Sequence, residues 1–271
     1  KRIEISKIAK YSLIILIIII FPSIYILNSN RKLSKNSSDS IVIEKDNLNV
    51  IKKSDSIVIE KDNLNVIKKI EKALNNKNFS LLENFFENET SNTLLKKLTK
   101  FSEEFPNSNW QISEKLGNYP YKTAGIKVTG SQNKNGEEFF LRSNFDYLYS
   151  IVNGKIDEGI IKNLFTTIRN DNKKIDISFK IPDRVLTGSK YDIDIILNKP
   201  LEEVIIAGAI KPHQVNSFFE QEILLEPLAS GGIFKITRAP SKPGMQIWSG
   251  IIAHPEGMIT FTKSIDIVDE I

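Results

Sequence analysis

Cysteine is absent from the 271-residue chain. Its absence excludes disulfide bonds, thiolate metal sites, a cysteine nucleophile and a lipid-modified cysteine. Arginine is scarce as well, with six residues among the 37 that are basic. Proteins that read nucleic acids rely on arginine for bidentate contacts to guanine, and no basic cluster stands out in this sequence. We therefore do not expect nucleic acid as a partner.

The short motifs of common enzymes are also missing. The sequence contains no G-x-S-x-G, P-loop, G-x-G-x-x-G, H-E-x-x-H or EF-hand spacing. Its two histidines, His213 and His254, each stand beside a proline at a predicted strand end, and Glu220 or Glu256 would have to join them to bind a divalent metal. Two unrelated loop histidines are the favoured interpretation. We predict no enzyme, no catalytic residue, no metal and no cofactor.

The composition that is present is typical of globular domains. Hydrophobic residues make up 41% of the chain and charged residues 26%, and the formal net charge is +4. The length fits one large domain or two of ordinary size.

An uncharged stretch over residues 11–27 predicts a transmembrane anchor. Its 17 residues would span about 25 Å as a helix, at about 1.5 Å per residue. The alternative is a cleaved signal peptide with its apolar region at Leu13–Phe21, but no pair of small residues follows for cleavage. With a basic tail at residues 1–10, we expect a cytoplasmic amino terminus and extracytoplasmic domains, in a bacterial plasma or thylakoid membrane.

A 16-residue unit occurs twice in tandem, as Ser38–Lys53 and Ser54–Lys69. The second copy continues into helical spacing and is predicted to begin the first helix of a domain. The first copy meets Ser54 and Asp55 instead, which favour turns. We interpret residues 28–61 as a polar tether that tolerates the duplication. The "SIVIE" segment of each copy has a composition that allows a short strand, and it is an aggregation risk if unpaired.

Residues 62–166 are predicted to form an α+β domain, with helices followed by long strands. Asn135-Gly136 and Asn153-Gly154 predict hairpin turns. The stretches "IEKALNNKNFSLLENFF" and "DYLYSIVNGKIDEG" resemble the opening helices and closing hairpin of the nuclear transport factor 2-like (NTF2-like) superfamily. The resemblance implies a cone with an apolar pocket, for which Trp110, Tyr147 and Tyr149 are the candidate ligand-binding residues.

Residues 167–271 are predicted to form an all-β sandwich. Short alternating strands recur every eight to twelve residues and are separated by Gly and Pro. The pattern resembles immunoglobulin-like modules of bacterial envelope proteins, without their disulfide. The complete prediction is thus a transmembrane helix, an NTF2-like cone and a sandwich.

We expect a membrane-anchored, non-catalytic scaffold or assembly protein that contacts other envelope or thylakoid proteins. The layout resembles anchored scaffolds of bacterial secretion systems. The first alternative is a module that binds a small apolar ligand in the pocket of the cone. The second is an isomerase or hydrolase using Asp146 with the two tyrosines, although alternation along a strand directs Asp146 to the opposite face.

Overall fold

The computed structural model describes residues 66–86, 88–115, 121–171, 175–199, 205–213, 224–228 and 231–270. Helical segments open this part of the chain. Their bounds are residues 66–75 for helix α1, Phe79–Asn84 for a 3-10 turn and Asn88–Glu104 for helix α2. Helix α1 buries Ile67, Ile70 and Leu74, which lie at helical spacing. Its first residues belong to the second copy of the repeat, as predicted.

Strands make up most of the remainder. Their bounds are β1 (Asn109–Lys115), β2 (Lys122–Lys134), β3 (Glu137–Val152), β4 (Lys155–Arg169), β5 (Ile177–Lys180), β6 (Arg184–Leu186), β7 (Lys190–Leu197), β8 (Ala207–His213), β9 (Glu226–Pro227), β10 (Gly232–Arg238), β11 (Gly244–His254) and β12 (Gly257–Val268).

The predicted hairpin turns are confirmed. Asn135 and Gly136 have φ values of 55° and 84° between β2 and β3, and Asn153 and Gly154 have φ values of 51° and 78° between β3 and β4. Positive φ at both central positions gives a turn whose twist matches that of the two strands it joins.

The strands form two sheets. A nine-stranded sheet runs in the order β1-β2-β3-β4-β12-β11-β8-β9, with β6 pairing beside it on β12, and a three-stranded sheet has the order β10-β7-β5. The long β4 pairs with β3 along most of its length, and its last residues, from Phe165 to Arg169, also pair with Lys263 to Ile259 of β12. The predicted boundary between residues 166 and 167 therefore falls inside β4, and the sheet continues across it.

The two faces of the large sheet carry separate cores. Helices α1 and α2 cover one face of β1 to β4, where Phe101, Trp110 and Val128 are buried. The small sheet covers the opposite face of β12, β11 and β8, where Trp248 and Phe261 are buried. Strand β4 contributes to both, because side chains alternate between the two faces.

The segment that leaves β4 is fixed by a buried carboxylate. The side chain of Asp171 is fully buried, and its two carboxylate oxygens accept hydrogen bonds from Nε and Nη2 of Arg169. It also accepts a hydrogen bond from the backbone N–H of Ile175 at 2.9 Å. One residue earlier, the side-chain oxygen of Asn170 accepts the N–H of Met258 at 2.6 Å. Several hydrogen bonds thus fix the segment of chain that connects the two cores.

The predicted fold class is wrong. The described structure is predominantly antiparallel β-sheet with few helices, and no separate α+β cone of the NTF2-like type is seen. The residue pattern predicted most local elements, but it contained no information on the pairing of β4 with β12, about ninety residues further along the chain.

The predicted membrane anchor is also corrected. Within the described ranges, no helix is long and apolar enough to cross a membrane. Residues 11–27, on which the anchor prediction rested, lie outside those ranges, as does the tether at residues 28–61. The single-pass anchor, the plasma or thylakoid location and the membrane as a partner are therefore without support.

Candidate functional site

The three predicted pocket residues lie on the helix-covered face of the large sheet. Trp110 on β1 and Tyr147 and Tyr149 on β3 are all at most 4% exposed. The two tyrosine rings stack, with centroids 5.9 Å apart and an angle of 13° between their planes. Trp110 packs edge-on against Phe101 of α2 at 5.6 Å. All three side chains are part of the helix-side core.

The cavity between helices and sheet is small. It has a volume of about 30 Å³ and is lined by apolar side chains together with Trp110 and Tyr147, whereas Tyr149 does not line it. Drug-sized ligands occupy pockets of about 300–1,000 Å³, and ~30 Å³ is the share of a single water molecule in the liquid. In this conformation the cavity has no room for an organic ligand.

The pKa values of the two tyrosine hydroxyls are raised in this setting. Burial raises the pKa of both hydroxyls, and the neighbouring Glu114 carboxylate raises the pKa of Tyr149 further. The Tyr147 ring also lies directly on Gly159 of β4, where any side chain would overlap it. Both hydroxyls therefore stay protonated, and the tyrosines are fixed as packing residues.

Asp146 is separated from the tyrosines by the sheet. Its carboxylate lies 2.5 Å from the ammonium of Lys115 and accepts a hydrogen bond from the amide of Asn163 at 2.8 Å, on the opposite face. The geometry does not bring Asp146 and the tyrosines into one constellation.

The two histidines are also far apart. His213 of β8 lies opposite Ile247 of β11, and His254 is the last residue of β11, so the two are about seven residues, or roughly 23 Å, apart along that strand. The imidazole of His254 accepts the N–H of Glu256 within the β11–β12 turn at 3.0 Å. Among the residues that the structure describes, no group of three or more His, Asp or Glu could hold a metal.

A second cavity, of about 140 Å³, opens where β4 and β12 diverge. Side-chain bonds bridge the gap: the Leu164 N–H donates to the Ser264 hydroxyl at 2.8 Å, and Lys162 pairs with Asp266 at 3.1 Å. These bonds replace the ladder that the two strands make further along. We interpret the cavity as a consequence of the split in the sheet, since its charged groups already satisfy one another.

The most unusual surface is on β10, an edge strand of the small sheet. Phe234 and Ile236 are 54% and 75% exposed, whereas the face toward the core carries Ile233, Lys235 and Thr237. A shift of one residue in register would have buried the two large side chains. The large apolar side chains of this strand therefore face solvent. Such exposure is energetically unfavourable for a strand that has only a structural role.

The backbone of β10 is available on the same edge. The N–H of Leu197 donates to the Gly231 carbonyl at 2.9 Å and that of Ala239 to the Ser189 carbonyl at 2.8 Å, so odd-numbered residues bond to β7. By alternation, the N–H and C=O groups of Phe234, Ile236 and Arg238 point away from β7. Within the described part of the chain, β7 is the only strand paired with β10.

Sequence reasoning missed this surface. The stretch "GGIFKITR" alternates well enough to predict a strand, but alternation alone does not tell which face is buried. The sequence contains one clue to the orientation of this strand, which is Lys235 between two large apolar residues. The usual arrangement would bury Phe234 and Ile236 and expose Lys235. The structure reverses that arrangement, and the Lys235 ammonium lies 5.8 Å from the centre of the Trp248 ring.

Residues 172–268 are similar to a protein family described as "Domain of unknown function (DUF8623)". The matched stretch begins just after Asp171 and contains the whole small sheet, including β10. It covers about a third of the chain, and β4 lies outside it. No curated protein matches the chain.

Proposed function

We propose that this chain is a non-catalytic interaction protein that binds another protein through the β10 edge. The proposal keeps the protein–protein role expected from the sequence and omits membrane attachment. The observation that carries it is the exposed pair Phe234 and Ile236 on a strand whose outward backbone groups have no partner strand in the described ranges.

Strand addition is the binding mode that this edge supports best. An extended segment of a partner would bond to the outward N–H and C=O groups of β10, and its alternate side chains would cover Phe234 and Ile236. Natural proteins usually protect such edges with charges, bulges or covering segments, because a bare apolar edge promotes association. A bare edge that is kept on a well-packed sandwich is therefore a reasonable docking surface.

The test is loss of binding by a single exposed substitution. Ile236→Lys places a charge in the middle of the edge without touching the core, and Val152→Lys is the matched control, because Val152 is 47% exposed on the β3–β4 hairpin. We expect a cross-linked partner that wild type and Val152→Lys retain and Ile236→Lys loses. Equal retention by all three proteins would refute docking at β10.

The alternative function, binding of a small apolar ligand between helices and sheet, is less well supported because the cavity there is about 30 Å³. Its test is thermal shift with a panel of lipids and pigments. Stabilisation by any member of the panel, following RT ln(1 + [L]/Kd), would favour this alternative.

A further inference from the structure

We propose that an extended segment of a partner protein, with an acidic residue followed by alternate apolar residues, adds to β10 and completes the sandwich over β9. The inference rests on the proposed function, because it names the chemistry of the partner and the place that its strand takes. Two further features of the described residues carry it. One is a strand of the large sheet that the small sheet leaves uncovered, and the other is a pair of cations at one end of the edge.

The strands of the small sheet lie one by one over strands of the large sheet. Strand β5 lies over β12, where the rings of Phe179 and Phe261 have centroids 5.1 Å apart. Strand β7 lies over β11, where the Tyr191 hydroxyl accepts the Trp248 indole N–H at 2.9 Å. The order β5-β7-β10 thus follows the order β12-β11-β8.

The third pair leaves the end of the large sheet uncovered. Strand β10 lies over β8, because a Cβ on Gly208 would be only 3.2 Å from the end of the Ile233 side chain. The large sheet continues past β8 to β9, whose residues Glu226 and Pro227 are exposed, and Leu224 just before them is 71% exposed. Among the strands that the structure describes, none lies opposite β9. We call the place beside β10 and over β9 the open strand position.

A single extended segment fits the open strand position better than a second copy of this chain does. An added strand would lie about 4.8 Å from β10, in line with its outward backbone groups, and about 10 Å from β9. If two β10 strands paired antiparallel, the second copy would bring its own β8 beneath its β10, where β9 of the first copy already lies. The occupant is therefore a strand with no sheet of its own beneath it.

The edge also has a charge pattern along its length. Arg238 is exposed and lies opposite Lys190 of β7, so two cations stand side by side at one end. The Arg238 guanidinium uses one nitrogen to donate to the Gly188 carbonyl at 2.6 Å, and its other N–H groups can bind a carboxylate. Toward the other end, Phe234 lies opposite Asp194. An antiparallel partner strand would thus match this edge with an acidic residue opposite Arg238 and a basic residue beyond Phe234.

The sequence pattern of the partner follows from the alternation of β10. Partner side chains opposite Arg238, Ile236 and Phe234 lie on the outer face, and those between them are directed toward β9. Read from its amino end, the segment is acidic-x-apolar-x-apolar, with a basic residue two positions further. The partner is a protein that presents this pattern in an extended segment.

The probe is a blocked synthetic peptide, TDTVTVTK, titrated into the full chain and followed by the fluorescence anisotropy of a dye at its carboxyl end. Its aspartate falls opposite Arg238 and its valines opposite Ile236 and Phe234. The control TKTVTVTK reverses the charge opposite Arg238. The control TDVTVTTK has the same composition as the probe, but its aspartate and its valines lie on opposite faces. We expect the probe to bind at least about tenfold more tightly than either control.

Charge exchange separates this recognition from general adhesion to an apolar edge. Arg238→Glu should bind TKTVTVTK at least about threefold more tightly than TDTVTVTK, which reverses the preference of wild type. Val152→Lys is the matched control and should keep the preference of wild type, since it lies on the β3–β4 hairpin. Equal affinity of wild type for the two peptides, or an unchanged preference in Arg238→Glu, would overturn the proposal.

The placement over β9 has its own measurement. A photoreactive benzophenone side chain in place of the threonine between the two valines should label β9, at Glu226 or Pro227. The same group in place of the second valine lies on the outer face and should leave β9 unlabelled. Labelling confined to β7 and β10 from both positions would overturn the placement.

The outcomes distinguish this inference from the proposed function. If all three peptides bind equally or not at all while Ile236→Lys still loses its cross-linked partner, the inference fails and the proposed function remains. If sedimentation shows a wild-type dimer that Ile236→Lys converts to a monomer, a second copy is the occupant and the inference also fails. If Ile236→Lys keeps every partner of wild type, docking at β10 is refuted and both fail.

Discussion

The two sheet edges at β1 and at β10 differ in whether their outward backbone groups are hydrogen-bonded. At β1, the helix α1 side chain of Asn75 bonds to the N–H and C=O of Trp110, and Glu71 accepts the N–H of Ile112 at 2.6 Å. At β10, the outward backbone groups have no partner among the described strands, and large apolar side chains are exposed beside them. Helix side chains thus protect the β1 edge, whereas no described element protects the β10 edge in the same way.

The spacing of the protecting residues explains how a single helix does this. Glu71 and Asn75 are four residues apart and therefore lie on one face of α1, one turn apart. Alternate outward backbone groups on a strand are about 6.8 Å apart, which a Glu and an Asn of different length can both reach from such a face. No helix of the described ranges lies in this way along β10.

The largest effect on stability is expected from Gly159→Ala, which tests how tightly the helix-covered half of the large sheet, here called the protected end, is packed. A Cβ at this position would overlap the Tyr147 ring, so strand β3 or β4 has to shift. We expect a loss of about 3 kcal/mol in the free energy of unfolding, measured by urea denaturation. Gly130→Ala is the control, since its Cβ would make ordinary contacts at 3.4 Å and beyond; a similar loss in both variants would contradict the argument.

Asn75→Ala should make the β1 edge resemble the β10 edge, because it leaves outward backbone groups of β1 without a partner. It leaves the N–H and C=O of Trp110 without their side-chain partner, at a cost of about 2 kcal/mol. The neighbouring Asn76 is exposed, so Asn76→Ala should change the free energy of unfolding by less than about 0.5 kcal/mol. If the two alanine variants are equally stable, the Asn75 contacts do not protect the edge.

Alkaline pH should weaken the protected end through its buried tyrosines. Their pKa is raised in the folded state, so their contribution is fully present below the unfolded value near 10 and is lost as the pH rises above it. We expect a loss of about 1 kcal/mol per pH unit and tyrosine above that pH. Tyr149→Phe should reduce the slope, and an unchanged slope would show that these hydroxyls do not titrate on unfolding.

The smallest effect on stability is expected at the exposed edge itself. Ile236→Lys and Phe234→Thr should each change the free energy of unfolding by less than about 0.5 kcal/mol, because neither side chain is part of a core. A loss above 2 kcal/mol would mean that the residues of β10 are structural and would remove the contrast between the edges.

Sequence patterns predicted the local structure well where neighbouring residues determine it. The buried series of α1, the two Asn-Gly turns and most strands follow from spacing and turn chemistry. The segment "FSLLENFF" shows the limit, because it belongs to the stretch expected to supply the opening helices and forms only a 3-10 turn, Phe79–Asn84.

The sheet order could not be predicted in the same way. The pairing of Thr166 with Thr262 joins residues that are almost a hundred positions apart, and both are small polar residues with no apolar signal. The buried hydroxyls of Ser143 and Thr166, 2.6 Å apart, likewise read in the sequence as solvent-facing positions. The prediction of two separate modules failed for this reason: the spacing of residues within β4 and within β12 does not indicate that these two strands pair with each other.

The shared strand β4 has a mechanical consequence. A hinge needs a few residues whose backbone can rotate while their neighbours stay still. Between the two cores, the chain instead forms the hydrogen-bonded ladder of β4 with β12, followed by the ion pair of Arg169 and Asp171. Tension applied at one end is therefore carried by several parallel bonds in shear. Whatever docks on β10 would be held at a constant distance and orientation from the point where the amino-terminal segment enters, as by a rigid spacer.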